Sequence, residues 1–144
     1  MTRSLRGMFA VDTGPLLEMV RRSEEGDRLF DAVKRGEITF VTHEVAITEL
    51  KYLLCRGVGP DEARQRVAHL LNSGYIELEQ TVHLMDAASL YKCRRSLAMA
   101  DCFTLALGKG WGIPALFGNL ERELISEMNR EPFDVEIVFL SDLK

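Results

Sequence analysis

Met8-Phe9-Ala10-Val11-Asp12-Thr13-Gly14-Pro15 is the stretch whose reading decides the fold. Four apolar residues in succession make the pattern of a strand buried on both faces, as in a parallel sheet. The run stops on a carboxylate. Pro15 suits the first turn of a helix capped by Thr13 or Gly14, and Leu16, Leu17, Met19 and Val20 continue that helix. Asp12 is thereby expected just beyond the carboxyl end of a strand, the edge at which parallel sheets gather their ligands. Its plainer reading is a helix cap. Yet Thr13 and Gly14 are already available for capping, and a carboxylate at the end of a buried strand is costly unless paired or metal-bound.

Outward from this stretch, apolar segments alternate with punctuation. Residues 22–26 read as a break, and Leu29, Phe30 and Val33 mark a second helical segment ended by Gly36. Residues 38–41 are β-branched or aromatic and predict a strand, with Thr42 as cap of a helix over 44–55. Gly57 and Gly59 stop that helix, and Pro60-Asp61-Glu62 opens another with acids where the helix dipole favours them. Residues 75–79 alternate as in a half-exposed strand. A helix follows over 84–93, and Ser96 is placed to cap the next, over 97–109. A strand over 113–117, a helix over 120–129 capped by Asn119, and a strand over 135–140 complete the chain. Strands separated by helices imply an α/β fold, a parallel sheet covered on both faces. With no repeat or linker, residues 1–144 are expected to form one domain.

Composition narrows the chemistry. No apolar run is long enough to cross a bilayer, and residues 1–7 lack the apolar stretch of a secretory signal. Cys55, Cys93 and Cys102 contain no C-x-x-C pair and read as reduced thiols of a cytoplasmic protein. His43, His69 and His83 are scattered, which excludes a zinc site of recognisable spacing; each reads as a surface or locally hydrogen-bonded residue. The net charge of −4 opposes gripping nucleic acid by bulk electrostatics, but not an acidic metal centre with a basic rim.

Two more acids join Asp12. Glu49 shares a helical stripe with Val45 and Leu53, at the edge of a buried face. Asp101 is the single charge in the run from Leu97 to Leu107, with no Lys or Arg one turn away. Such a carboxylate needs an ion pair or a cation. If the first strand is central and both helices flank its carboxyl end, the three converge as a hard-cation site, and a hard cation there points to phosphodiester chemistry.

Together, Phe9-Ala10-Val11-Asp12-Thr13, Thr48-Glu49-Leu50, Leu97-Ala98-Met99-Ala100-Asp101 and Phe117-Gly118-Asn119 resemble the PIN domain, most of all the VapC-type toxin ribonucleases. The resemblance implies a three-layer α/β/α domain with a mostly parallel five-stranded sheet. It implies Mg²⁺ or Mn²⁺ held by Asp12, Glu49 and Asp101, and endonucleolytic cleavage of RNA, in the cytoplasm. A homodimer and a small antitoxin partner are implied as well. The family usually has a further Asp where this chain has Asn119, whose carbonyl can ligate but whose amide brings no charge. Glu121 or Glu123 is a candidate to reach the pocket, though both read more simply as first-turn helix acids. Thr13 is a candidate for hydrogen bonding to a ligand or for capping, and Arg94 and Arg95, with Lys92 and Lys51, for holding RNA phosphates. Tyr91 and Trp111 are candidates for base stacking or for packing. The competing reading is a PIN domain that has lost catalysis and serves as an RNA- or protein-binding regulatory module. A P-loop or dinucleotide-binding domain is excluded by the lack of either glycine motif.

Overall fold

The computed structural model describes residues 6–119 and 121–143. The expectations for residues 1–5 and for Leu120 lie outside the described residues. Five strands form one sheet, all parallel, in the order β3-β2-β1-β4-β5. They are β1 (Gly7–Val11), β2 (Ile38–His43), β3 (Ile76–Glu79), β4 (Ala115–Phe117) and β5 (Ile137–Phe139). The opening apolar run is therefore the central strand, with Ala10 paired to both Val41 and Ala115.

Burial on both faces explains why β1 reads as a continuous apolar run. Successive side chains of a strand point to opposite sides. Phe9 and Val11 enter one core with Phe40, Leu116 and Val138, whereas Ala10 enters the other with Val41, Ala115 and Phe117. The first core is closed by α1 (Thr13–Arg21), α2 (Glu24–Lys34), α3 (Glu44–Val58) and α4 (Pro60–Asn72) through Leu16, Leu29, Leu50 and Val67. The second is closed by α5 (Met85–Arg94), α6 (Met99–Trp111) and α7 (Arg122–Arg130) through Ala88, Leu105 and Leu124. The architecture is the three-layer α/β/α arrangement.

Several boundaries differ from the sequence reading. Asp12 itself is the residue before α1, with Thr13 already helical; the chain turns from strand to helix without a spare residue. Gly14 permits this turn to seat against the loop after β4, because a Cβ there would stand 3.0 Å from Gly118 Cα. The break read at 22–26 is confined to Arg22 and Ser23: Ser23 accepts from the Gly26 N–H and caps α2, which starts at Glu24. His43, not Thr42, caps α3, because Thr42 spends its hydroxyl on the Val11 carbonyl at 2.9 Å. Ala98, not Ser96, precedes α6. The helix expected over 120–129 is α7, preceded by Glu121 rather than capped by Asn119. The last strand is shorter than expected, because residues 140–142 turn into a single 3₁₀ turn.

Candidate active site

The carboxyl end of β1 is where the two cores meet. Asp12 follows that strand, and its N–H continues the ladder to the Leu116 carbonyl of β4 at 2.9 Å. α6 brings Asp101 in its first turn from one face, and α3 brings Glu49 in its second turn from the other. Asp12 and Asp101 are 3% and 7% exposed, and their carboxyls lie close enough for a proton on Asp101 to be shared with Asp12. Glu49 is half-buried and within electrostatic reach of both.

Two like charges brought out of water raise each other's proton affinity. Burial pushes Asp101 up to about 8, reinforced by the charges of Asp12 and Glu121 and by the hydrogen bond that keeps its proton in place. Burial raises Asp12 to about 6 with help from Glu49 and Glu121, against a hydrogen bond from Thr104. Thr104 Oγ1 donates to Asp12 Oδ1 at 2.6 Å and lies 2.8 Å from His43 Nε2. Among the described residues neither Asp forms an ion pair with Lys or Arg. The buried negative charge thus has no cationic counterpart among the described residues.

Glu121 is the acid the sequence undervalues. It is half-buried, its Oε1 lies beside Gly118, and burial with Glu49 nearby raises its proton affinity. Asn119 is exposed, and its amide donates to Glu25 Oε2 of α2 at 3.0 Å. Thr13 is buried and gives its hydroxyl to the Ala46 carbonyl at 3.3 Å.

The basic candidates lie elsewhere. Arg95 is a structural residue in this geometry. It donates to the carbonyls of Glu127, Glu131 and Pro132, stacks 3.8 Å from the Phe133 ring centre and faces the buried Glu127 carboxylate. Its signal was readable only as charge, since its carbonyl partners are more than 30 residues away. Arg94 is exposed at the end of α5. Lys92 donates to the Leu97 carbonyl, Lys51 is exposed, Tyr91 donates to Asp134, and Trp111 is partly exposed.

The donor set fits a hard divalent cation: all four acids offer carboxylate oxygen, and the buried pair has no countercharge among the described residues. Among the described residues, no three His, Cys, Asp or Glu side chains already stand around one point as ligands. The kernel is Asp12 with Asp101; Glu49 and Glu121 are longer side chains within electrostatic range of it. No helix among the described residues is long and apolar enough to cross a membrane.

Comparison with known proteins agrees with this fold. The chain is similar in fold to VapC20 of Mycobacterium tuberculosis, a sarcin–ricin-loop-cleaving toxin, with a TM-score of 0.61 at 19% identity over 77% of this chain and 87% of that one. It is similar to the DNA-bound VapBC of Salmonella typhimurium, with a TM-score of 0.61 at 16% identity over 97% of this chain and 99% of that one. Among curated proteins nothing matches. Residues 9–119 match the PIN domain, and that span runs from the central strand through Asp12, Glu49 and Asp101 to Asn119: the chain belongs to the PIN-domain family.

Proposed function

We propose that residues 1–144 act as a single-domain, divalent-metal-dependent endoribonuclease, the toxin of a VapBC-type pair. The observation that carries the reading is the buried Asp12–Asp101 contact, flanked by Glu49 and Glu121 and, among the described residues, without a cationic partner. A structural ion pair would include its cation in the chain; a binding site for one leaves the charge uncompensated.

Asp12 and Asp101 would hold the ion, and Glu49 and Glu121 complete a negative rim. Bound Mg²⁺ or Mn²⁺ supplies charge neutralisation at the scissile phosphate and a water of lowered pKa. The chain's own part is orientation. Thr104 fixes one oxygen of Asp12, β1 and β4 fix the backbone beneath it, and helices on either side keep water from the buried half of the pocket. Burial lowers the proton affinity of His43, down to about 4, and both ring nitrogens are engaged, Nδ1 by the Ala46 N–H and Nε2 by Thr104, so it is not the base.

RNA as the substrate class is supported by membership of the PIN family and by the likeness to VapC20, a sarcin–ricin-loop-cleaving toxin. A small antitoxin partner is supported by the likeness to the VapBC structure, and a homodimer is proposed on the sequence resemblance alone. The competing reading, a PIN domain without catalysis, draws on Asn119, which stands in the usual place of an acid and is tied to Glu25. Wild type and Asp101→Asn, freed of any partner, are compared on single-stranded RNA with Mg²⁺ or Mn²⁺ and again in EDTA. Metal-dependent cleavage lost in the variant supports the nuclease. No cleavage by folded wild type across several RNAs favours the binding-only domain.

A further inference from the structure

His43 of β2 and Thr104 of α6 are 61 residues apart in sequence and meet beneath Asp12, both fully buried. Their hydrogen bonds have a direction that can be read from one end. The Ala46 backbone N–H donates to His43 Nδ1 at 3.1 Å, so that nitrogen presents its lone pair. A neutral imidazole accepting at Nδ1 carries its proton on Nε2. Nε2 lies 2.8 Å from Thr104 Oγ1, so the ring donates and the hydroxyl oxygen accepts. The single hydroxyl proton must then go elsewhere. It has two acceptors, Asp12 Oδ1 at 2.6 Å and the Ala100 carbonyl at 3.2 Å. The shorter bond to an ionised acceptor is the stronger. A backbone N–H in the first turn of α3 therefore sets the orientation of a hydroxyl in α6, and through it the carboxylate after β1.

We propose that His43 is a positioning residue for the metal-binding carboxylate of Asp12 and acts through Thr104. This rests on Asp12 being a metal ligand, as proposed above. The Thr104 hydroxyl holds Asp12 Oδ1 and so fixes the rotation of the carboxylate before any cation arrives. Partners of this kind, one bond behind a ligand, contribute strongly to metal affinity. The imidazole adds what Thr104 alone lacks. A helical threonine ordinarily turns its hydroxyl back to the carbonyl four residues earlier, here Ala100. Donation from Nε2 occupies a lone pair on Oγ1 and keeps the proton on the Asp12 side. The ring's hydrogen bond toward Asp12 runs through this hydroxyl, whereas its other bond, from the Ala46 N–H, caps α3, so the influence on Asp12 carried by Nε2 disappears when the hydroxyl does.

The test measures Mn²⁺ affinity by calorimetry on wild type, Thr104→Val, Thr104→Ser, His43→Phe and the His43→Phe/Thr104→Val double variant. Thermal midpoints are recorded for each, and the His43 ring is followed by ¹⁵N spectroscopy. Thr104→Val and His43→Phe are each expected to weaken Mn²⁺ binding by about 10-fold or more, with Thr104→Ser close to wild type. The double variant is expected to bind no more weakly than Thr104→Val, since coupled residues do not add. The ring spectrum is expected to show the neutral Nε2–H form. Wild type that binds Mn²⁺ while Thr104→Val binds it equally well overturns the positioning role and leaves the metal site standing. Additive losses, or an Nδ1–H ring, do the same. Folded wild type that binds no Mn²⁺ overturns the metal reading itself and the positioning role with it. Should His43→Phe fail to fold, the Thr104 pair and the ring spectrum still decide.

Discussion

Asn119 donates its side-chain amide to Glu25 Oε2 at 3.0 Å, tying the loop after β4 to α2 instead of presenting the amide to the acidic pocket. Glu121, two residues on, is the side chain whose charge reaches Asp12 and Asp101. Glu121→Gln is therefore expected to weaken Mn²⁺ binding by about 10-fold, whereas Asn119→Ala changes it less than about threefold. Calorimetry on the two variants decides, and a larger loss in Asn119→Ala would reverse the assignment.

The buried pair makes metal-free stability depend on pH in a definite sense. Asp12 and Asp101 bind protons up to about 6 and about 8 in the folded chain, against about 3.9 when unfolded. Between those limits the folded chain holds protons that the unfolded chain has released, so stability is greatest in acid and falls as pH rises through the folded values. In EDTA the Tm is expected to drop by roughly 5–10 °C from pH 5 to pH 8.5. Asp101→Asn should remove most of that slope and melt above wild type at pH 8. A flat wild-type profile would contradict the coupling.

A cation that relieves the same repulsion should restore what high pH removes. At pH 8, Mn²⁺ at about 100 times its dissociation constant is expected to stabilise the wild type by about 2.7 kcal/mol. The rise should be lost in Asp12→Asn and Asp101→Asn. Thermal scans with and without EDTA measure it, and an equal rise in the variants would place the ion elsewhere.

Arg95 and Arg94 are adjacent yet expected to behave differently. Arg95 ties α5 to the end of α7 through three carbonyls and the Glu127 carboxylate, so Arg95→Ala should lower the Tm by several degrees. Arg94 is exposed, so Arg94→Ala should leave the Tm within a degree or so. RNA binding titrated against salt separates the roles: a loss confined to Arg94→Ala marks a phosphate contact.

Gly26 offers a test of packing alone. A Cβ there would lie 2.0 Å from the Glu18 carbonyl oxygen of α1, so α1 and α2 would have to move apart. Gly26→Ala is expected to cost about 3 kcal/mol, read from denaturant midpoints. A change below about 1 kcal/mol would show that the helices are free to shift.

The sheet was legible because β1 is flanked on both sides and packed on both faces, which forces a run such as Phe9-Ala10-Val11. Helix starts were less legible, because caps compete. Thr42 has the chemistry of a cap, but the Val11 carbonyl claims its hydroxyl, and His43 does the work. Ser23 was hidden by Glu24-Glu25-Gly26, whose glycine answers to a neighbouring helix rather than to a turn. Asp12 and Asp101 stood out by the cost of burying charge, an argument that needs no coordinates. Glu121 and the His43–Thr104 contact did not, since the first resembles any acid opening a helix and the second exists only across the fold.

The order of the sheet also says which parts of the chain are free to vary. Every pocket acid is carried on a connection adjoining β2, β1 or β4, the inner three strands, while β3 and β5 lie at the margins. The Gly14–Gly118 approach locks two of those inner connections together. Natural insertions, fusion partners and affinity handles are therefore best accommodated beside the marginal strands, at the α4–β3 corner or beyond α7, where they lengthen the outline of the molecule without respacing its carboxylates.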